Sequence, residues 1–140
     1  MAAIRFEDVV KRYGEVVALD GVDLTIETGR CHCLLGANGS GKTTLLRLLL
    51  GLTRPTTGTI DRPDGTIGCS FQTPTFYPDL TVTENLDVFG AMAPPPDEAW
   101  RADLIDVLGL ERVATRPAGA LSGGWQKKLD LALAFLKRPT

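Results

Sequence analysis

Val22, Leu24 and Ile26 alternate with Asp23, Thr25 and Glu27, which predicts a strand with one buried face. Ile4 and Phe6, followed by Val9 and Val10, predict an earlier strand, with Tyr13-Gly14 at the turn after it. Thr28-Gly29 leads into Cys31-His32-Cys33-Leu34-Leu35, a run with little polar alternation that reads as a short strand buried on both faces. A glycine-rich loop follows at once. From Lys42 to Leu50 the spacing is helical, with Gly51 placed to end the helix in the left-handed conformation. Two more short strands are expected near Thr59-Ile60 and over Thr66 to Phe71, joined by the turn Arg62-Pro63-Asp64-Gly65.

Beyond this point the period changes. Thr81 and Glu84 are spaced as a capping box, opening a helix whose apolar face is Val82, Leu86, Phe89 and Ala93, with Pro94-Pro95-Pro96 ending it. A second helix is expected from Asp97, presenting Trp100, Leu104, Val107 and Leu108 and ending at Gly109. A third runs from near Ser122 to about Lys137, where Lys137-Arg138 suit a helix C-terminus and Pro139 stops it. Mixed strands come first and helices afterwards, without an internal repeat.

Composition adds bounds. With 44% hydrophobic and 23% charged residues in 140, the chain has the make-up of one soluble globular domain. Fifteen Lys and Arg against 17 Asp and Glu leave no basic excess, so direct nucleic-acid contact is not expected. The longest apolar runs, such as Leu48 to Leu50 and Leu131 to Leu136, fall far short of the roughly 20 residues that cross a bilayer. The opening residues show no secretory leader, so a cytosolic location is expected. Cys31, His32 and Cys33 look like a metal cluster, but in a strand His32 would face away from both thiols, and no metal site is expected there.

The chemistry enters at Gly36-Ala37-Asn38-Gly39-Ser40-Gly41-Lys42-Thr43, which satisfies G-x-x-x-x-G-K-[ST] between an expected strand and an expected helix. In this composition a chance match has a probability of only roughly 0.7%, so accident is set aside. Glycines let the backbone wrap a phosphate, so that N–H groups from about Gly39 to Thr44 point inward at the positive end of a helix. Lys42 would neutralise the β- and γ-phosphates, and the Thr43 hydroxyl would coordinate Mg²⁺. The motif by itself leaves the family of phosphate-loop nucleotide hydrolases open.

Leu121-Ser122-Gly123-Gly124 opens the last helix, where Ser122 can cap and the following amides are free to meet an anion. Lys127 and Lys128 in its early turns are charges that an anion would make tolerable. A capped helix after the Pro117-Ala118-Gly119-Ala120 loop is the alternative.

Taken in order, these segments resemble the nucleotide-binding domain of ABC ATPases over nearly the whole chain. Tyr13 matches the aromatic residue that stacks on adenine in that family, and Gly36 to Thr44 matches Walker A. Gln72 matches the Q-loop glutamine that approaches Mg²⁺ and the attacking water; Leu80 to Leu86 matches the opening of the helical subdomain. Leu121 to Gly124 matches the signature, which binds the γ-phosphate of a nucleotide held by a partner domain. The resemblance implies an α/β fold: a P-loop core with an N-terminal antiparallel β-subdomain and a helical subdomain. The implied division is 1–30 and 58–71 for the β-subdomain, 31–57 for the core, 72–121 for the Q-loop and helical subdomain, and 122–140 for the signature helix.

Three departures stand out. Arg30 replaces a frequent acidic residue, Trp125 stands where Gln is commonest, and the stretch from Gly58 to Gln72 is short, which should trim the β-subdomain. More consequential is that no segment matches Walker B, its catalytic carboxylate, the D-loop or the switch histidine. The 140 residues are therefore expected to be the first two-thirds of a larger domain that lacks its C-terminal strands, to bind nucleotide, and to hydrolyse it poorly if at all. The strand Cys31 to Leu35, short of its neighbours, should make the chain poorly stable on its own.

By resemblance, the function expected is that of the ATP-binding subunit of a membrane transporter, with ATP and Mg²⁺ as cofactors and export weakly favoured by the texture of Leu121 to Pro139. The implied partners are a second ATP-binding domain, identical or not, and a membrane-embedded subunit, at the cytoplasmic face of the plasma membrane. Trp125 and the short hairpin with Pro63-Asp64-Gly65 also fit an ABC-F type ribosome-associated ATPase. A non-hydrolysing, nucleotide-dependent dimerisation module is a third reading.

Overall fold

The computed structural model describes residues 2–62, 64–92 and 97–139, the side chain of Ala2 apart. They form two compact units, 1–64 and 65–140, each with its own core.

The first unit is a three-stranded antiparallel sheet with one helix. Strands β1 (Ala2–Tyr13) and β2 (Val16–Glu27) form a hairpin, and β3 (Thr57–Asp61) pairs with the other edge of β1, giving the order β2-β1-β3. Ile4, Phe6, Val9 and Leu19 are buried with Leu45 and Leu48 of α1 (Lys42–Leu49). Phe6 and Val9 are three residues apart, so strict alternation would put them on opposite faces. A bulge at Asp8, with φ 47° and a register shift between Phe6 and Val9, returns Val9 to the core side. The alternation read in Val22, Leu24 and Ile26 is present, those three being half-buried while Asp23, Thr25 and Glu27 are exposed. At the other end of the unit, α1 finishes on Leu50 and Gly51 (φ 73°), and the Arg62 guanidinium donates to the Leu48 carbonyl.

Two expected strands are absent. Cys31 to Leu35 is irregular and exposed, with Leu35 at 85% exposure. Apolar character alone does not make a strand; the run needs partners, and no described segment pairs with its backbone. Strand geometry therefore does not turn His32 away from Cys31 and Cys33; its Nε2 instead accepts from the Glu27 amide at 3.2 Å. Thr66 to Phe71 is likewise irregular, and the turn expected at Arg62 to Gly65 passes through position 63, outside the described residues.

The second unit is helical: α2 (Val82–Ala91), α3 (Glu98–Leu108) and α4 (Gly123–Phe135), with 3₁₀ turns at Leu110–Val113 and Ala118–Ala120. The capping box at α2 forms as read, Glu84 N donating to Thr81 Oγ1 and Thr81 N to Glu84 Oε2. Asp97 caps α3 through Trp100 N at 2.9 Å, and Gly109 ends it at φ 66°. Position 93 and the prolines 94–96, expected to finish the α2 face and end the helix, lie outside the described residues. Val82, Leu86, Leu110, Val113, Leu121, Leu129 and Leu133 form the core. On α3 the buried residue is Leu104, with Ile105 and Leu108 packed against the core, whereas Val107 is 81% exposed. Over a helix this short, 100° per residue leaves Val107 off the face that 104, 105 and 108 share. The last helix stops at Phe135, two residues before the expected end. Antiparallel sheet plus helices is the α/β character expected.

Candidate functional site

Two segments of α-helix begin without a side chain satisfying their first amides, and both were singled out by sequence. In the first unit, the loop from Gly36 turns through Ser40 N to Ala37 O (3.2 Å) and enters α1 at Gly41, a left-handed N-cap with φ 93°. Only glycine suits that position: a β-carbon there would lie 2.6 Å from the Ala18 carbonyl oxygen and 2.9 Å from Leu19 Cδ2 of β2. The first intrahelical bond is Leu45 N to Gly41 O, so the amides of Lys42, Thr43 and Thr44 precede the ladder. Together with Asn38, Gly39 and Ala18 they line an open cleft of about 370 Å³. Lys42 Nζ donates to the Gly36 and Ala37 carbonyls and lies 3.4 Å from Ser40 Oγ, so its ammonium sits inside the loop that would wrap a phosphate. Backbone donors, a helix N-terminus, an ammonium and the Thr43 hydroxyl in one cleft fit an anionic ligand and its metal counter-ion.

Tyr13 ends β1 opposite Val16, on the same hairpin whose Ala18 walls that cleft. Ala18 is two residue steps along β2 from Val16, a rise of roughly 7 Å, so a half-exposed ring stands within a nucleotide's length of the loop. Lys11 Nζ lies 5.0 Å from its centroid.

In the second unit, Ser122 (φ −64°, ψ 157°) is the N-cap of α4, but its side chain makes no capping hydrogen bond, which corrects that part of the expectation. Ser122, Gly123 and Gly124 are exposed, while Leu121 before them is buried and fixes the entry of the helix. The approach is stitched down by Ala118 N to Leu80 O and Gly119 N to Pro78 O, both 2.8 Å, and by an antiparallel bridge between Thr81 and Pro117. Trp125 packs against the helical core, with Lys128 Nζ 4.5 Å from its ring. Lys127 reaches Ser70 Oγ at 2.7 Å and Asp130 at 3.5 Å. These two lysines thus have protein partners, and their tolerance in the first turns does not require an anion. Gln72 is exposed on the irregular stretch after Cys69.

Two polar residues that carry much of this arrangement escaped the sequence reading. Asn85, fully buried, accepts from Tyr77 N and donates to the carbonyls of Tyr77, Leu80 and Thr81, fixing the loop before α2. Asp130 is 2% exposed and holds Ser70 and Thr75. A polar residue at a core position of a helix was the available signal for both. Burial and the nearby Asp130 carboxylate push the Cys69 thiol up, partly offset by Lys127. Among the described residues no group of three or more His, Cys, Asp or Glu is placed to hold a metal.

Residues 19–140 match the sequence family described as ABC transporter. The Nod factor export ATP-binding protein I of Burkholderia lata (strain 383) is 38% identical over 153 residues, covering 99% of this chain and 50% of that protein. The chain thus spans about half the length of the curated relatives it matches. Among solved structures, the ADP conformation of an ATP-binding cassette of an ABC transporter superposes with a TM-score of 0.86 at 30% identity, over 99% of this chain and 66% of that one. A dimeric bacterial ABC transporter cassette gives 0.78 at 28% identity, over 97% and 70%.

Proposed function

The chain belongs to the ABC transporter family, and on that premise we propose that it is the ATP-binding part of a transporter's ATPase subunit, working in export. The observation that carries the reading is the cleft of the first unit, where Gly41 is pressed against Ala18 so that Lys42 and the amides of Lys42 to Thr44 share one anion-sized space.

In this reading the loop amides from Gly39 and the Lys42 ammonium hold the β- and γ-phosphates, and Gly36, Asn38 and Ser40 shape the loop. Thr43 is the protein ligand to Mg²⁺, and Tyr13 carries the adenine ring. Bound Mg·ATP would supply the phosphoanhydride whose cleavage powers transport. Gln72 takes its role toward the metal and the attacking water from family resemblance. Ser122, Gly123 and Gly124 present exposed backbone donors to the γ-phosphate of a nucleotide on a second such domain. That a related cassette has been solved as a dimer supports this arrangement.

Export is favoured by the name of the relative, an export ATP-binding protein. A membrane-embedded partner and a cytoplasmic, peripheral location follow from the same reading; no helix among the described residues is long and apolar enough to cross a membrane. The ribosome-associated alternative gains no support from these relatives. Binding is what these residues offer, and hydrolysis is proposed for the larger domain of which the chain matches a part.

Lys42→Ala tests the assignment. Loss of a charge-assisted contact to phosphate should weaken Mg·ATP binding by about tenfold or more in a calorimetric titration, and an unchanged affinity would refute the assignment.

A further inference from the structure

Gln72 lies between two residues, Ser70 and Thr75, that are gripped by one buried side chain. Asp130, about two turns into α4, is 2% exposed and flanked by the buried Leu129, Ala132 and Leu133. Its Oδ2 accepts from the Ser70 hydroxyl, and its Oδ1 accepts from the Thr75 hydroxyl at 3.3 Å and the Thr75 amide at 3.4 Å. Lys127, on the same face, donates to Ser70 Oγ at 2.7 Å and to the Phe71 carbonyl at 3.2 Å, and pairs with Asp130 at 3.5 Å. The stretch 70–75 has no regular secondary structure, and among the described residues the hydrogen bonds that reach it come from these two side chains. With Lys127 about half exposed, the ion pair itself adds little net stability. What it provides is a fixed geometry on either side of Gln72, anchored to the helix that opens at Ser122.

We propose that Asp130 is a positioning residue for Gln72, clamping the chain at Ser70 and Thr75 so that the glutamine moves with α4 as one body. Displacement of the exposed Ser122 to Gly124 end of α4 is then transmitted to Gln72 through the carboxylate. The inference rests on the reading of Gln72 as the Q-loop glutamine.

The test compares Asp130→Asn with a Ser70→Ala, Thr75→Val double variant, which removes both hydroxyl contacts to the carboxylate while leaving the Thr75 amide and α4 intact. Amide hydrogen exchange should accelerate about tenfold over 70–76 in both, as expected for one or two lost hydrogen bonds. In the double variant, exchange in α4 should be unchanged. In the intact ATPase, turnover per bound nucleotide should fall while KM for ATP stays within about twofold, because the phosphate loop is untouched. Unaltered exchange over 70–76 in the double variant overturns the clamp. So does an Asp130→Asn effect confined to α4, which would make Asp130 a core residue only. Unchanged ATP affinity in Lys42→Ala would instead sink the nucleotide-site reading, and that separate result identifies which of the two has failed.

Discussion

Single residues here act through what their surroundings forbid. Gly41 combines a φ of 93° with a backbone oxygen of β2 where a β-carbon would sit, so Gly41→Ala both strains the loop and pushes it off Ala18. The expected outcome is loss of nucleotide binding as severe as that of Lys42→Ala, at a stability cost of about 1–3 kcal/mol, read by titration and by urea unfolding. Asn85 serves four backbone partners from a fully buried position. Asn85→Ala leaves those groups unpaired and should destabilise the fold by about 2–3 kcal/mol in urea. Such roles are poorly legible in sequence. A glycine in a motif announces itself, but an asparagine on an apolar helix face says only that something polar lies opposite it, and the partners come from a loop up to eight residues earlier.

At the scale of elements, the helices were legible because their ends carry local chemistry. Thr81 with Glu84, and Gly109, signal their caps within a few residues and form as read, and the helix expected from Asp97 begins there, with Asp97 capping it through Trp100 N. The caps also confer a pH dependence. Hydrogen bonds from Thr81 hold Glu84 below its ordinary value, and the Trp100 amide, with Arg138, does the same for Asp97. A carboxylate whose folded value is lowered contributes stability above its unfolded value, near 4. That contribution disappears as pH falls through the folded value. Thermal melts followed by circular dichroism should therefore show the melting temperature dropping below about pH 4. Glu84→Gln with Asp97→Asn, which keep the acceptor oxygens, should flatten that acid limb; an unchanged limb would show that other carboxylates set it. Cys31 to Leu35 shows the opposite case. Its apolar run says strand, yet a strand is a relation between two segments, and the described residues provide no second one. Cys31 and Cys33 are exposed and Cys69 is half-buried with a raised thiol, so native labelling at pH 7 should modify the first two faster.

For the molecule as a whole, each of the two units has its own core, one of sheet and helix around Phe6, Val9 and Leu48, the other of helices around Leu86, Leu110 and Leu129. Between Glu27 and Gly41 the first unit exposes Leu34 and Leu35 beside backbone without a strand partner. The 140-residue chain by itself is therefore expected to melt broadly and to aggregate on heating, and a single sharp calorimetric transition of soluble monomer would contradict this. Leu35→Ser should change stability by less than about 0.5 kcal/mol, whereas Leu48→Ala should cost about 2–5 kcal/mol. The amino-acid sequence by itself determined much that is decided within a few residues: the β1–β2 hairpin, the capping box of α2, the Gly109 end of α3 and the glycine loop running into α1. Tertiary structure alone decided which apolar runs become strands, how the bulge at Asp8 returns Val9 to the core, and what Lys127 and Asp130 are for. The physical reason is one of range. Caps and turns close over three or four residues of the same chain, whereas a strand partner and the clamp on either side of Gln72 are contacts with distant residues, formed only once the chain has folded.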